Sequence, residues 1–210
     1  MKQLLLVRHG RTDWNTTARL NSHTEVALDV VGEGQAARLA QHLHTSLPVF
    51  SLWASPALRA QQTAWALAEP RAMAIHTIPE AFEVHFGTFE GRSVADIRSG
   101  PDGARFEAWE NGDQVDGIES LDDASRRARQ VYQRAIEADT PGPIVLVTHG
   151  LLIRLIVCAV VLGIAPRAYR HLTIDNASIT TIAITDRDIK LTGLNDTHFL
   201  QDPGTVWRGL

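Results

Sequence analysis

Two apolar runs, each ending in His-Gly, constrain this chain more than any other feature. Leu4-Leu5-Leu6-Val7 leads directly into Arg8-His9-Gly10, and Pro143-Ile144-Val145-Leu146-Val147 leads into Thr148-His149-Gly150. Four or more consecutive apolar residues read as a strand covered on both faces, the kind found inside a parallel sheet. In an open α/β sheet the ligand lies just beyond the carboxyl ends of the strands. Arg8, His9 and His149 are therefore expected along one edge of one sheet. Gly10 should let the chain turn and bring backbone N–H groups toward a ligand there. One such histidine alone reads best as a structural side chain; two delivered to the same edge read as a site.

The segments between the runs supply the rest of an α/β fold. Residues 16–30 lack periodicity and read as irregular. Gly32 to about Ser46 carries apolar or alanine positions at 36, 37, 39, 40, 43 and 47, which predicts a surface helix. Val49 to Ala54 predicts a second strand. Ser55-Pro56 then predicts a helix start, with Ser55 as N-cap and proline at the first helical position. That puts Arg59 in the first turn, where a cation opposes the macrodipole unless an anion sits at the helix start. Ala74 to Ile78 predicts a third strand, and 93–117 short helices and loops around the Gly100-Pro101-Asp102-Gly103 turn. Leu121 to Ala138 predicts a helix capped by Ser120, with Asp122 and Asp123 in its first turn, and a further helix begins near Leu151. Ile179 to Thr185 and Ile189 to Leu194 predict the last strands, joined by a short turn at Asp186. The expected class is α/β: three layers, with a mostly parallel central sheet flanked by helices. Residues 1–210 are expected to form one domain, with a small helical and loop insertion at about 80–120 over the strand C-terminal ends.

Several classes of function are disfavoured. A net charge of −4 over 210 residues implies no broad basic surface, so a nucleic acid is not an expected partner. The first residues are too short and too soon charged for a secretory signal. The most apolar later stretch, Leu155 to Ala165, falls short of the roughly 20 residues a membrane span needs and reads as a core helix. Cys158 is the single cysteine, which rules out an intrachain disulfide and fits a reducing, cytoplasmic setting. No metal-ligand spacing or glycine-rich nucleotide loop appears, so neither metal nor cofactor is expected.

What remains is a constellation: Arg8, His9, Arg59, His149 and a carboxylate from the Glu80 to Glu90 stretch. Guanidiniums are planar forks matched to the paired oxygens of a phosphoryl group. A neutral imidazole can attack phosphorus, a second and protonated imidazole can stabilise charge, and a carboxylic acid can protonate a leaving alkoxide. The expected partner is a small phosphomonoester.

Leu-Val-Arg-His-Gly-Arg-Thr-Asp-Trp-Asn, at residues 6–15, resembles the signature of the histidine phosphatase superfamily, in the branch of phosphoglycerate mutases and their phosphatase relatives. The likeness continues through Arg19-Leu20, Gly34-Gln35-Ala36, the stretch Ser55-Pro56-Ala57-Leu58-Arg59-Ala60-Gln61-Gln62-Thr63-Ala64, Glu83 to Gly91, Thr148-His149-Gly150, and Leu194 to His198. It implies that His9 is the nucleophile and becomes phosphorylated. It also implies that Arg8, Arg59, His149 and Asn15 hold the phosphoryl oxygens, with Gly150 and Ser22 beside them, and that Glu83 is the proton donor. Burial of Glu83 among Phe82, Phe86 and Phe89 would help keep it protonated. His9 needs an acceptor on its second nitrogen, which the sequence does not identify. Arg11 and Ser22 depart from the family's usual residues, in loops near the expected pocket entrance.

The implied activity is phosphatase, acting through a phosphohistidine, with a cofactor-dependent phosphoglycerate mutase as the alternative. The Phe89-Glu90-Gly91 element resembles the phosphatase branch. A non-catalytic binding module would be expected to lack some of Arg8, His9, Arg59, Glu83 and His149, and all five are present. The aromatics Phe82, Phe86, Phe89, Phe106 and Trp109 suit either the core of the insertion or a pocket for a bulky ester, and core is the stronger expectation for each. Oligomeric state, a homodimer included, stays open.

Overall fold

A computed structural model describes residues 2–48, 50–140, 142–185 and 187–200. Six strands form one sheet in the order β3-β2-β4-β1-β5-β6. They are β1 (Lys2–Arg8), β2 (Ser51–Ala54), β3 (Ile75–Thr77), β4 (Ile144–Thr148), β5 (Ile179–Ile184) and β6 (Ile189–Asp196). The pairs β3·β2, β2·β4 and β4·β1 are parallel, whereas β5 is antiparallel to both of its neighbours. The sheet is thus mostly parallel, as expected, and β1 is an inner strand with one antiparallel neighbour. Val49, where the second strand was expected to begin, and Asp186, the expected turn, lie outside the described residues.

The period-two geometry of β1 divides the core. Leu4 and Leu6 face one layer with Ile144 and Leu146, while Leu5 and Val7 face the other with Val145 and Val147. Against the second face pack α2 (Val30–Ser46), through Leu39, Ala40 and Leu43, and α3 (Leu58–Ala68), through Ala60, Ala64 and Leu67. The first face is covered by α6 (Leu121–Glu137), whose buried Leu121, Ala124, Ala128, Val131 and Ala135 recur at three- and four-residue spacing. It is covered also by α7 (Gly150–Leu155), which runs on into a π-helical turn, Ile156–Val161. Four side chains of β1 buried against two layers each contribute roughly 1.5–3 kcal/mol, which is why this short strand is the hub of the sheet.

A short helix α1 (Asp13–Thr16) follows β1, and α4 (Val94–Ser99) and α5 (Gly103–Asn111) form most of the helical part of the 80–120 segment. Phe86, Phe89, Phe106 and Trp109 are buried there in the same core cluster as α6, and the Trp109 indole N–H donates to the Glu119 carbonyl at 2.9 Å. They are core, as expected; Phe82 is the aromatic of the five that remains partly exposed. Among the described residues, no helix is long and apolar enough to cross a membrane.

One expected cap is misplaced. The helix after Ser55-Pro56 starts at Leu58 with Ala57 as N-cap, and the Ser55 hydroxyl does not cap it. Instead the Glu25 carboxylate accepts from the Leu58 N–H at 2.7 Å. The anion that balances Arg59 at this helix start is therefore supplied by the protein, which no local pattern could reveal.

Backbone proximity makes two glycines unequal. A Cβ on Gly32, in the first turn of α2, would lie 2.0 Å from the Arg11 carbonyl oxygen, whereas one on Gly34 would meet nothing within 4 Å. Gly34→Ala should therefore stabilise the fold by about 0.5–1 kcal/mol. Gly32→Ala should destabilise it by about 1–3 kcal/mol, since main chain must move. Urea denaturation of the two variants checks the opposite signs.

Candidate active site

Register brings the two histidines together. Cα partners in β1 and β4 run from Leu4–Ile144 to Arg8–Thr148, and the His9 N–H donates to the Thr148 carbonyl at 2.9 Å. His9 and His149 are the next residues on adjacent parallel strands, and their ring centroids lie 5.3 Å apart. On the other side of β4, β2 pairs Ala54 with Val147, which delivers Ser55 to the same edge.

Arg59 bridges the two imidazoles. It is 1% exposed, and its Nε donates to His9 Nε2 at 3.3 Å. Its Nη2 lies 3.1 Å from His149 Nδ1 and also donates to the carbonyls of Asn21 and Ser22. Because a guanidinium only donates, His9 Nε2 and His149 Nδ1 must both be unprotonated. The second nitrogen of each ring agrees. His9 Nδ1 donates to the Gly10 carbonyl at 2.7 Å, and His149 Nε2 donates to Ser55 Oγ at 2.8 Å. The acceptor that orients His9 is therefore Gly10 O. The Gly10 N–H, expected to face a ligand, instead donates to Thr63 Oγ1 at 3.0 Å.

Electrostatics point the same way. Burial first, then Arg59 and Arg8, holds the His9 pKa well below the usual histidine value of 6.5. Burial, then Arg59 and His9, does the same for His149. His149 is thus neutral in the resting site, which corrects the expectation that it stands protonated: its Nδ1 already accepts from the Arg59 guanidinium. Arg8, largely buried, is pulled down to about 10 by burial and then by Arg154.

A small cleft of about 140 Å³ opens here, lined by Arg8, His9, Asn15, Arg19, Asn21, Glu83, Gly150 and Arg154, with Leu20, Phe86 and Leu151. Arg8 Nη1 donates to the Ile174 carbonyl at 2.6 Å. Its buried Nε, and both polar atoms of the Asn21 side chain, have no protein partner. Buried polar groups are nearly always satisfied, and phosphoryl oxygens would satisfy the donors among these. A Cβ on Gly150 would lie 3.3 Å from Arg8 Nε, so glycine leaves the guanidinium its place. Asn15 Oδ1 is taken by Thr12 and by Asn176 Nδ2, leaving its own amide N–H₂ for the cleft.

Glu83 is 8% exposed. Its Oε1 accepts from the Val84 and Leu152 N–H groups and its Oε2 from the Leu151 N–H, all at 3.0–3.1 Å. The carboxylate is thus seated on the start of α7 rather than among aromatic rings. A hydrogen bond from Thr148 Oγ1 to the Ala81 carbonyl, 2.7 Å, ties the Glu83 segment to the end of β4.

Among the expected residues, Arg8, His9, Asn15, Glu83 and Gly150 line the cleft, and Arg59 and His149 stand directly behind His9. Ser22 is fully buried outside the lining. Its hydroxyl contacts His23 Nδ1 and the Glu83 carbonyl, and its N–H donates to Glu90. Arg11 turns away to pair with Asp29 at 2.8 Å. Sequence reasoning missed Arg154, Arg19, Asn21, Asn176 and the role of Ser55. Two had signals: Arg154 lies one helical turn after Gly150, and Ser55 directly follows a strand, as His9 and His149 do.

The model of the histidine phosphatase superfamily (branch 1) matches residues 4–197. A protein of Enterobacter sp. (strain 638) named probable phosphoglycerate mutase GpmB is 31% identical over 185 residues, covering 87% of this chain and 85% of that one. The crystal structure of the alpha-ribazole phosphatase from Shigella flexneri superposes with a TM-score of 0.81 at 27% identity, over 92% of this chain and 96% of that one. Phosphoserine phosphatase from Entamoeba histolytica, in complex with 3-phosphoglyceric acid, gives a TM-score of 0.83 at 26% identity, over 96% and 100%.

Imidazole nitrogen NMR should show the proton on Nδ1 for His9 and on Nε2 for His149, with neither ring titrating around the usual histidine value of 6.5. The sign for stability follows. As pH falls below 6.5 the unfolded chain takes up protons on these two histidines and the folded chain does not, so stability is lost. Each ring contributes up to about 1.4 kcal/mol per pH unit. Urea midpoints between pH 7 and 5.5 should fall, and fall less steeply in His9→Gln.

Proposed function

Because this chain belongs to the histidine phosphatase superfamily (branch 1), we propose that it is a metal-independent phosphomonoester hydrolase. It acts on a small phosphorylated metabolite through a phosphohistidine on His9. What carries this reading is the placement of the unprotonated Nε2 of His9 beside a cleft that also holds Glu83 and the guanidinium of Arg8. Structures similar to this chain are named phosphatases, which supports hydrolysis.

In the first step Nε2 of His9 attacks phosphorus in line with the leaving oxygen. The N–P bond forms, the P–O ester bond breaks, and Glu83 gives its proton to the departing alkoxide. The His9 Nδ1–H stays on Gly10 O, so the phosphorylated ring is a cation steadied by that carbonyl. Arg8 and Asn15 hold the phosphoryl oxygens as donors in a water-poor cleft, and Arg59, steadied by His149 Nδ1, turns its Nε–H from His9 Nε2 to a phosphoryl oxygen as the N–P bond forms. Oε2 of Glu83 accepts one N–H and keeps a second lone pair for the transferable proton. In the second step water attacks phosphorus, Glu83 takes its proton, and the N–P bond breaks to free His9 and phosphate.

A phosphoglycerate mutase would share the first step and deliver the phosphoryl group to a hydroxyl instead of water. The name of the Enterobacter relative favours testing it. Comparing phosphate release from 3-phosphoglycerate with its conversion to 2-phosphoglycerate decides between the two.

Phosphate release from phosphomonoesters should persist in EDTA, be inhibited by vanadate and vanish in His9→Ala. Glu83→Gln should lower kcat by about 10²–10⁴-fold. Activity lost to chelator and restored by a divalent cation would refute the mechanism, whereas rapid isomerisation with little release would keep its first step and make the chain a mutase.

A further inference from the structure

The phosphate cleft is too small for a whole substrate. At about 140 Å³ it falls below the roughly 300–1,000 Å³ usual for small-molecule sites. It seats a phosphoryl group and little more. The leaving oxygen must touch Glu83, so the rest of the leaving group starts at Glu83. A second depression, of about 490 Å³, shares Glu83 as a wall and is lined also by His23, Phe82, His85 and Ile118.

That second depression has a definite chemistry. The His23 ring stacks on Phe82 with centroids 4.5 Å apart and planes 25° apart, and His85 meets His23 edge-on at 5.1 Å. Ser22 Oγ, 2.9 Å from His23 Nδ1, holds the middle ring in place. The one cation among the lining residues, Arg127, is fully engaged. It grips both carboxylate oxygens of Glu119, at 2.9 and 2.7 Å, and donates to the carbonyls of Glu80, Phe82 and Glu83. A carboxylate on the leaving group would therefore find no unpaired cation, while a flat ring would find three aromatic faces and edges.

We infer that the depression beside Glu83, walled by His23, Phe82 and His85, receives a planar, uncharged aromatic ring carried by the leaving group. This rests on the phosphomonoesterase reading above and names its substrate class: alkyl phosphates bearing an aromatic ring, ahead of phosphorylated hydroxy or amino acids.

The test compares kcat/KM of the full chain for 2-phenylethyl phosphate with values for glycerol 3-phosphate, phosphoserine and 3-phosphoglycerate, all of them alkyl phosphates. The ring ester should lead by about tenfold or more. In His23→Ala/His85→Ala that lead should shrink about tenfold, through KM rather than kcat. A readout independent of turnover is NMR titration of His9→Ala with 2-phenylethyl phosphate, in which the imidazole C–H resonances of His23 and His85 should shift. Equal kcat/KM across the panel, a preference for a carboxylate ester, or unmoved resonances would overturn the inference while hydrolysis itself stood. Shifted resonances with no hydrolysis of any ester would support the ring site and overturn the catalytic reading instead.

Discussion

One buried guanidinium, Arg59, bonded to both imidazoles, is the interaction on which the rest of the site depends. A cation excluded from water is costly unless every donor is met. Here the acceptors are His9 Nε2, His149 Nδ1 and the carbonyls of Asn21 and Ser22, with a long contact to the Thr24 carbonyl. The price of that arrangement is that neither histidine can hold a proton on the nitrogen facing Arg59. Charge repulsion and tautomer choice thus have one cause, and the outcome is a His9 whose Nε2 carries no proton for a separate base to remove.

The same cation organises the surrounding loop. Glu90 accepts the N–H groups of Ser22 and Thr24, and Glu25 accepts the N–H of Leu58. These two carboxylates fasten the 21–25 segment at both ends, which holds its carbonyls over Arg59 and fixes the His23 ring beside Phe82. Phosphate chemistry and the proposed ring site are therefore linked through a single loop. Glu83 joins them from the other side: it borders both cavities, its carboxylate accepting N–H groups at the start of α7 and its carbonyl accepting from Arg127.

Much of this was legible from residue order. The apolar runs of β1 and β4 are unmistakable, because a strand buried on both faces cannot alternate with polar residues. The helix after Ser120 begins where its hydroxyl and following carboxylates place it, and Asp123 N–H does donate to Ser120 Oγ. Ser-Pro is a genuine capping pattern, so residue order points Ser55 to the helix start; its hydroxyl instead meets His149, 94 positions away. Glu25 and Asn176 gave no local signal at all, since the first caps a helix beginning 33 positions later and the second reaches back 167 positions to the His9 carbonyl.

Sequence by itself determined the class of fold, the two strands that meet at its centre, and the chemical types gathered at their ends, because burial periodicity and strand termini are local properties. Tertiary structure alone decided the protonation pattern, the acceptor on His9, the neutral state of His149 and the second cavity beyond Glu83. Those depend on which donor faces which acceptor across the sheet edge, and on how much water is excluded there. Neither quantity exists until distant segments have packed.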